Sequence, residues 1–159
     1  ILQAAPGDAP VPVAGVGDRL PAIELPTPQG ERRTLADLAG GRPLLVNFWA
    51  SWCRPCLEEM PALDAFARRE GANGVQVVGI ALDDSQAVLA FLKARPVGYA
   101  VLMDTPGPAD SSVRLGNARG VLPYSVLVAA DGRILRRWTG PLETGDLDDW
   151  AAEANPTRN

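Results

Sequence analysis

The 159-residue chain contains no histidine. That absence removes Ser-His-Asp and Cys-His nucleophile systems, together with every zinc site that relies on imidazole. Cysteine is nearly as scarce, with only Cys53 and Cys56 present. Two thiolates fill half of a tetrahedral zinc shell, so a metal would have to recruit carboxylates and none is expected. No apolar run reaches the roughly 18 residues that a membrane-spanning helix needs. Basic charge is not concentrated either. The 15 Lys and Arg are scattered apart from short pairs such as Arg32-Arg33 and Arg136-Arg137, and the net charge is −4. Phosphate backbones require clustered cations, so nucleic acid is not an expected partner.

What is present suits one globular domain, with 47% hydrophobic and 21% charged residues. The chain opens on Ile1 rather than Met, which points to a processed product. Residues 1–17 are rich in Ala, Pro, Gly and Val, with Asp8 the one charge, and read as an extended, flexible tether. The domain is expected over residues 18–154, with 155–159 as a tail.

Within the domain, hydrophobic patterning alternates strand and helix. Ile23-Glu24-Leu25 and Arg32 to Leu35 read as short strands around a turn at Gln29-Gly30, followed by a helical turn ending at Gly40-Gly41. Leu44 to Trp49 is an apolar run interrupted by Asn47, as in a strand buried on both faces. Pro55 to about Glu70 reads as a helix with Leu57, Met60, Leu63 and Phe66 on one stripe, kinked at Pro61 and stopped by Gly71 and Gly74. Val75 to Leu82 is the next strand, and Asp83-Asp84-Ser85 caps a helix reaching about Arg95. Capping also explains the two adjacent aspartates better than a metal site does. A strand over 99–103, a short helix over 109–115, a hairpin turning at Asp131-Gly132 and a terminal helix over 144–154 complete the order. This order predicts an α/β domain with a central mixed sheet covered by helices on both faces.

The two cysteines sit where that order turns from strand to helix, in Trp52-Cys53-Arg54-Pro55-Cys56. The first sulfur then lies at a helix N-terminus, where unpaired N–H groups and the helix dipole stabilise a thiolate. Thiolates attack disulfides, so the spacing points to thiol–disulfide exchange. A purely structural bridge is a weaker reading, because closing so small a loop constrains the unfolded chain little.

The segment Asn47-Phe48-Trp49-Ala50-Ser51-Trp52-Cys53-Arg54-Pro55-Cys56, with Pro61 beyond it, resembles the active-site segment of thioredoxin-like proteins. Glu58-Glu59-Met60-Pro61, the longer stretch around 75–96, and Gly120-Val121-Leu122-Pro123 resemble the TlpA/ResA branch of bacterial thiol–disulfide oxidoreductases. The resemblance spans about 18–154 and implies a thioredoxin-like fold with an N-terminal short-strand extension and a central insertion.

It also implies roles. Cys53 would be the exposed nucleophile and Cys56 the buried sulfur that resolves the mixed disulfide; their redox-active bond would replace any bound cofactor. Arg54 would favour the Cys53 thiolate, unless it simply faces solvent. Pro55 suits the first helical turn, where its missing N–H is not needed, and in the family helps set the reduction potential. Pro123 resembles the cis-proline opposite the cysteines, with Leu122 pairing its backbone to substrate and Tyr124, where the family often has Thr, among the substrate contacts. Trp52 would form the apolar rim that receives a partner, while Trp49, Trp138 and Trp150 read as packing residues. Asn47 stands where many thioredoxins carry a buried aspartate, and Glu59 matches a glutamate proposed in this branch as the proton acceptor for Cys56. The alternative for Glu59 is a surface carboxylate near the helix start, a place that Glu58 fits better.

The implied partners are a disulfide-containing protein substrate and a membrane thiol reductase as electron donor. The implied location is periplasmic or extracytoplasmic, tethered through an anchor outside this sequence. Competing readings are a DsbA-like thiol oxidase, a thiol peroxidase and a non-enzymatic binding module. A peroxidatic cysteine would need hydroxyl and guanidinium partners where Trp52 stands.

Overall fold

A computed structural model describes residues 11–156. Two short antiparallel strands come first, β1 (Glu24–Pro26) and β2 (Arg32–Thr34). Helix α1 (Leu35–Ala39) follows, capped by Thr34 and ended by Gly40 in the left-handed region at φ 58°. Then come β3 (Leu44–Trp49), α2 (Arg54–Glu70), β4 (Gln76–Leu82), α3 (Ser85–Ala94), β5 (Ala100–Asp104), α4 (Ser111–Arg114), β6 (Tyr124–Val128), β7 (Ile134–Thr139) and α5 (Thr144–Ala154). The central sheet has strand order β5-β4-β3-β6-β7. β3, β4 and β5 run parallel, whereas β6 pairs antiparallel with β3 and with β7. The expected mixed sheet is therefore present, with its fully buried strand β3 at the centre.

Strand alternation divides the core. Leu44, Val46 and Phe48 face a cluster with Leu35 of α1, Ile23 and Leu115. Leu45 faces the other way, against Leu63 and Phe66 of α2 and Leu147 and Trp150 of α5. Trp49 shares that side with Met60, Cys56 and Val88 of α3. Both faces of β3 are covered, so it needs no polar side, whereas the outer strand β7 is largely exposed. The one polar residue of β3, Asn47, is buried on the α2 side and has to find partners there.

Helix α2 runs without interruption through Pro61 and ends at Gly71. Asp84 caps α3 through the Ala87 N–H at 3.1 Å, as its sequence position implies. The expected tether over 1–17 needs revision at its inner end. Residues 1–10 lie outside the described residues, but Ala14 N–H donates to the Arg114 carbonyl and Gly17 N–H to the Ile134 carbonyl. Composition alone could not reveal that these backbone groups are paired, since the acceptors lie about a hundred positions away.

Candidate active site

β3 delivers the chain to the cysteines through a turn that is held in place. The Asp83 carboxylate at the end of β4 accepts hydrogen bonds from the Ser51 amide at 2.8 Å and the Ser51 hydroxyl at 2.5 Å. Burial pushes the Asp83 pKa up, but these bonds and one from the Asp84 amide outweigh it and hold the group below its ordinary value. Cys53 then caps α2 in extended conformation, and its sulfur accepts the Cys56 N–H at 3.4 Å. Pro55 occupies the first helical turn, where no N–H is required.

Cys53 and Cys56 are joined as a disulfide, with their Cα atoms 5.3 Å apart. Cys56 is fully buried, as the resemblance implies. Cys53 is less open than expected, at 5% exposure, because it packs in the same cluster as Cys56, Met60 and Trp49, with Leu122 against it. The surface beside it belongs to Trp52, 71% exposed. Arg54 extends into solvent and pairs with Glu58 at 3.1 Å, which matches the outward-facing alternative for it.

Glu59, one position short of a full turn beyond Cys56, is 3% exposed. Its Oε1 accepts from Asn47 Nδ2 at 2.8 Å, and its Oε2 from the Leu142 amide. Asn47 Nδ2 also donates to the Ser125 hydroxyl at 3.0 Å across the β3–β6 pair. Burial raises the Glu59 pKa to about 7, even though the Leu142 and Asn47 hydrogen bonds pull it down. A group that titrates there can both take and return a proton near neutrality. Asn47 thus serves as a donor to the acid rather than as a base itself.

Opposite this helix, the Leu122–Pro123 peptide bond is cis. The Pro123 carbonyl accepts from the Gly140 amide at 2.8 Å, while the Leu122 N–H and C=O have no hydrogen-bond partner among the described residues. A groove of about 390 Å³ lies alongside, lined by residues including Trp52, Leu82, Pro106, Arg119 and Leu122. Tyr124 does not fit the role expected of it. It is 3% exposed, its ring lies 6.1 Å from that of Phe48, and its hydroxyl donates to the Leu115 carbonyl at 2.8 Å. As the first residue of β6 opposite Phe48 it is turned into the core, away from any partner.

Trp150 is buried against α2 as expected, but Trp138 on the outer strand β7 is 48% exposed. Two residues of the site, Ser125 and Leu142, were not singled out in the sequence, and Asp83 was read there only as part of a helix cap. Leu142 contributes only backbone and lies 83 positions from Glu59, so its residue type carries no signal.

The same chain regions match a known family by sequence. The model of the AhpC/TSA family covers residues 16–137, from before the N-terminal hairpin into the last strand, β7. The chain belongs to the AhpC/TSA family. Among relatives of this AhpC/TSA-family chain is the thiol-disulfide oxidoreductase ResA of Bacillus subtilis, 29% identical over 135 residues, which are 84% of this chain and 73% of the relative. The thiol:disulfide interchange protein HelX of Rhodobacter capsulatus is 36% identical over 137 residues, 83% of this chain and 72% of that one. The crystal structure of a thioredoxin-related protein from Neisseria meningitidis serogroup B superposes with a TM-score of 0.74 at 33% identity, covering 84% of this chain and 99% of that one. The fold is thioredoxin-like, and the protein is a ResA-like thiol–disulfide oxidoreductase. Among the described residues no helix is long and apolar enough to cross a membrane.

Proposed function

We propose that the protein reduces disulfide bonds of extracytoplasmic proteins through the Cys53–Cys56 pair. The observation that carries this reading is the Cys53 sulfur at the N-cap of α2, accepting the Cys56 N–H. In the reduced protein the same amide and the helix dipole stabilise a Cys53 thiolate, the attacking species. That thiolate attacks one sulfur of the partner's disulfide and displaces the other as a thiolate. Cys56 then passes its proton to Glu59 and attacks Cys53 Sγ, so the partner's second sulfur leaves and Cys53–Cys56 is oxidised. Two electrons reach the partner, whose departing thiolates take up protons. Trp52 and Leu122 flank the attacked bond and receive the partner, beside Arg54 and Pro55 of the motif.

Reduced protein is regenerated by a thiol reductase in the membrane, since the bacterial periplasm offers no thiol buffer to do so. The TlpA/ResA-like sequence supports that donor and the extracytoplasmic location. No bound cofactor takes part in these steps. A peroxidase is not favoured: the residue before Cys53 is the exposed Trp52, and the guanidinium after it is bonded to Glu58.

The reduction potential separates reductase from oxidase. Equilibration with a glutathione or dithiothreitol couple is expected to give a value near that of thioredoxin, about −270 mV. A value near that of DsbA, about −120 mV, would assign the protein to thiol oxidation instead.

A further inference from the structure

Between α4 and Pro123 the chain makes a loop whose shape depends on one buried amide. Asn117 is 3% exposed. Its Oδ1 accepts from the Val121 N–H at 3.2 Å, and its Nδ2 donates to the Val121 carbonyl at 3.0 Å. The side chain therefore grips both backbone groups of one residue, as a neighbouring strand would. Nδ2 donates in addition to the Ser112 hydroxyl at 3.2 Å, and that hydroxyl donates to Asp110, the N-cap of α4, at 2.7 Å. The loop's ends are also fixed, by the Tyr124 hydroxyl on the Leu115 carbonyl and by Gly140 on the Pro123 carbonyl.

The outcome is a backbone satisfied at 121 and at 123 and open at Leu122 between them. Leu122 packs against the cluster that contains Cys53 and Cys56 and lines the groove with Trp52, so its open donor and acceptor belong to the same corner of the fold as the disulfide. An extended polypeptide can pair with them in the manner of an added strand. A small disulfide without a peptide backbone cannot.

We propose that Asn117 is a positioning residue for polypeptide substrates: by holding Val121 through both of its backbone groups, it keeps the Leu122 backbone set to receive a partner segment beside Cys53. The proposal rests on the reductase reading above. It separates recognition of a polypeptide from the chemistry at sulfur, because Asn117 touches neither cysteine.

The test compares two oxidised substrates with one enzyme: insulin, whose disulfides lie in polypeptide, and the small aromatic disulfide dithiobis-nitrobenzoate. Asn117→Ala is expected to lower the second-order rate with insulin about tenfold, the weight of one or two lost backbone pairings, while the rate with the small disulfide stays within about twofold. An unchanged insulin-to-small-disulfide ratio overturns the role of Asn117, whether the two rates hold or fall together. Failure of the wild type to reduce insulin at all counts instead against the reductase reading. If Asn117→Ala does not fold, by near-ultraviolet circular dichroism, Ser112→Ala carries the test. It removes the hydroxyl that orients the amide without touching Val121, and is expected to lower the same ratio about threefold; no change in that ratio overturns the proposal.

Discussion

A carboxylic acid enclosed by α2, β3 and the loop before α5 is stable only in a narrow set of states. Glu59 gains two hydrogen bonds as an acceptor, from Asn47 and from Leu142, yet loses the hydration of its ionised form. Desolvation is the larger effect and sets the pKa at about 7, against 4.5 for the free side chain. The sign follows from proton counting. Between those two values the folded protein binds more proton than the unfolded chain, so stability falls as pH rises from 4.5 through about 7 and then levels. Glu59→Gln is expected to flatten that slope in melting temperatures recorded across the range. The slope is the proper readout, since the amide can keep only one of the two accepted hydrogen bonds. In single-turnover experiments the resolution of the mixed disulfide should accelerate in the wild type as pH rises through about 7, where Glu59 becomes able to accept a proton. In Glu59→Gln the rise should move toward the pKa of an ordinary thiol, about 8.5. An identical pH profile in both proteins would remove Glu59 from proton transfer.

At the scale of elements, the site depends on how the turn between β3 and α2 is tied to the end of β4. Asp83 makes that tie by taking both the amide and the hydroxyl of Ser51. Because its pKa is held below the ordinary value, its stabilising effect is present above that value and lost as pH falls through the depressed one. Asp83→Ala is expected to cost about 1–3 kcal/mol in urea unfolding at neutral pH, with the Ser51 amide left unpaired, and the gap from wild type should shrink in acid. The elements themselves are largely written locally. The run from Leu44 to Trp49, the apolar stripe on α2 and the Asp84 cap each declare a period or a terminus within a few residues. Asp83 was legible only as part of a capping pair, because its partner Ser51 is brought near by the parallel register of β3 and β4. Tyr124 shows the opposite failure. Its place after Pro123 suggests a substrate contact, but alternation in β6 turns its ring against Phe48. Gly79 carried no message in the sequence either. A Cβ there would lie 3.1 Å from Trp49 Nε1 and 3.2 Å from the Tyr99 ring, so its lack of a side chain admits both rings over β4.

Across the whole molecule, the chemistry and one source of stability occupy opposite ends of the sheet. Cys53, Glu59 and Pro123 gather where β3 and β7 end and β6 begins. The entering segment is fastened at the other end, where β7 begins. Gly17 and Leu20 donate to the carbonyls of Ile134 and Gly132 and Ile134 donates to the Asp18 carbonyl, while Ala14, away from that end, donates to the Arg114 carbonyl at the end of α4. Leu20 and Ala14 also pack on the core face that includes Leu35 and Ile134. A chain beginning at Pro21 loses these four pairings and exposes the apolar surface beneath them. At about 0.5–1.5 kcal/mol for each net hydrogen bond, the expected loss is about 2–6 kcal/mol, a large share of the stability of an ordinary domain. The urea midpoint should fall accordingly. Under conditions where both chains remain folded, the rate with a small aromatic disulfide should be unchanged, because the segment reaches neither the cysteines nor Glu59. A drop in that rate at full folding would show that the far end of the sheet influences the Cys53–Cys56 turn, through β3 and β6 that connect the two ends.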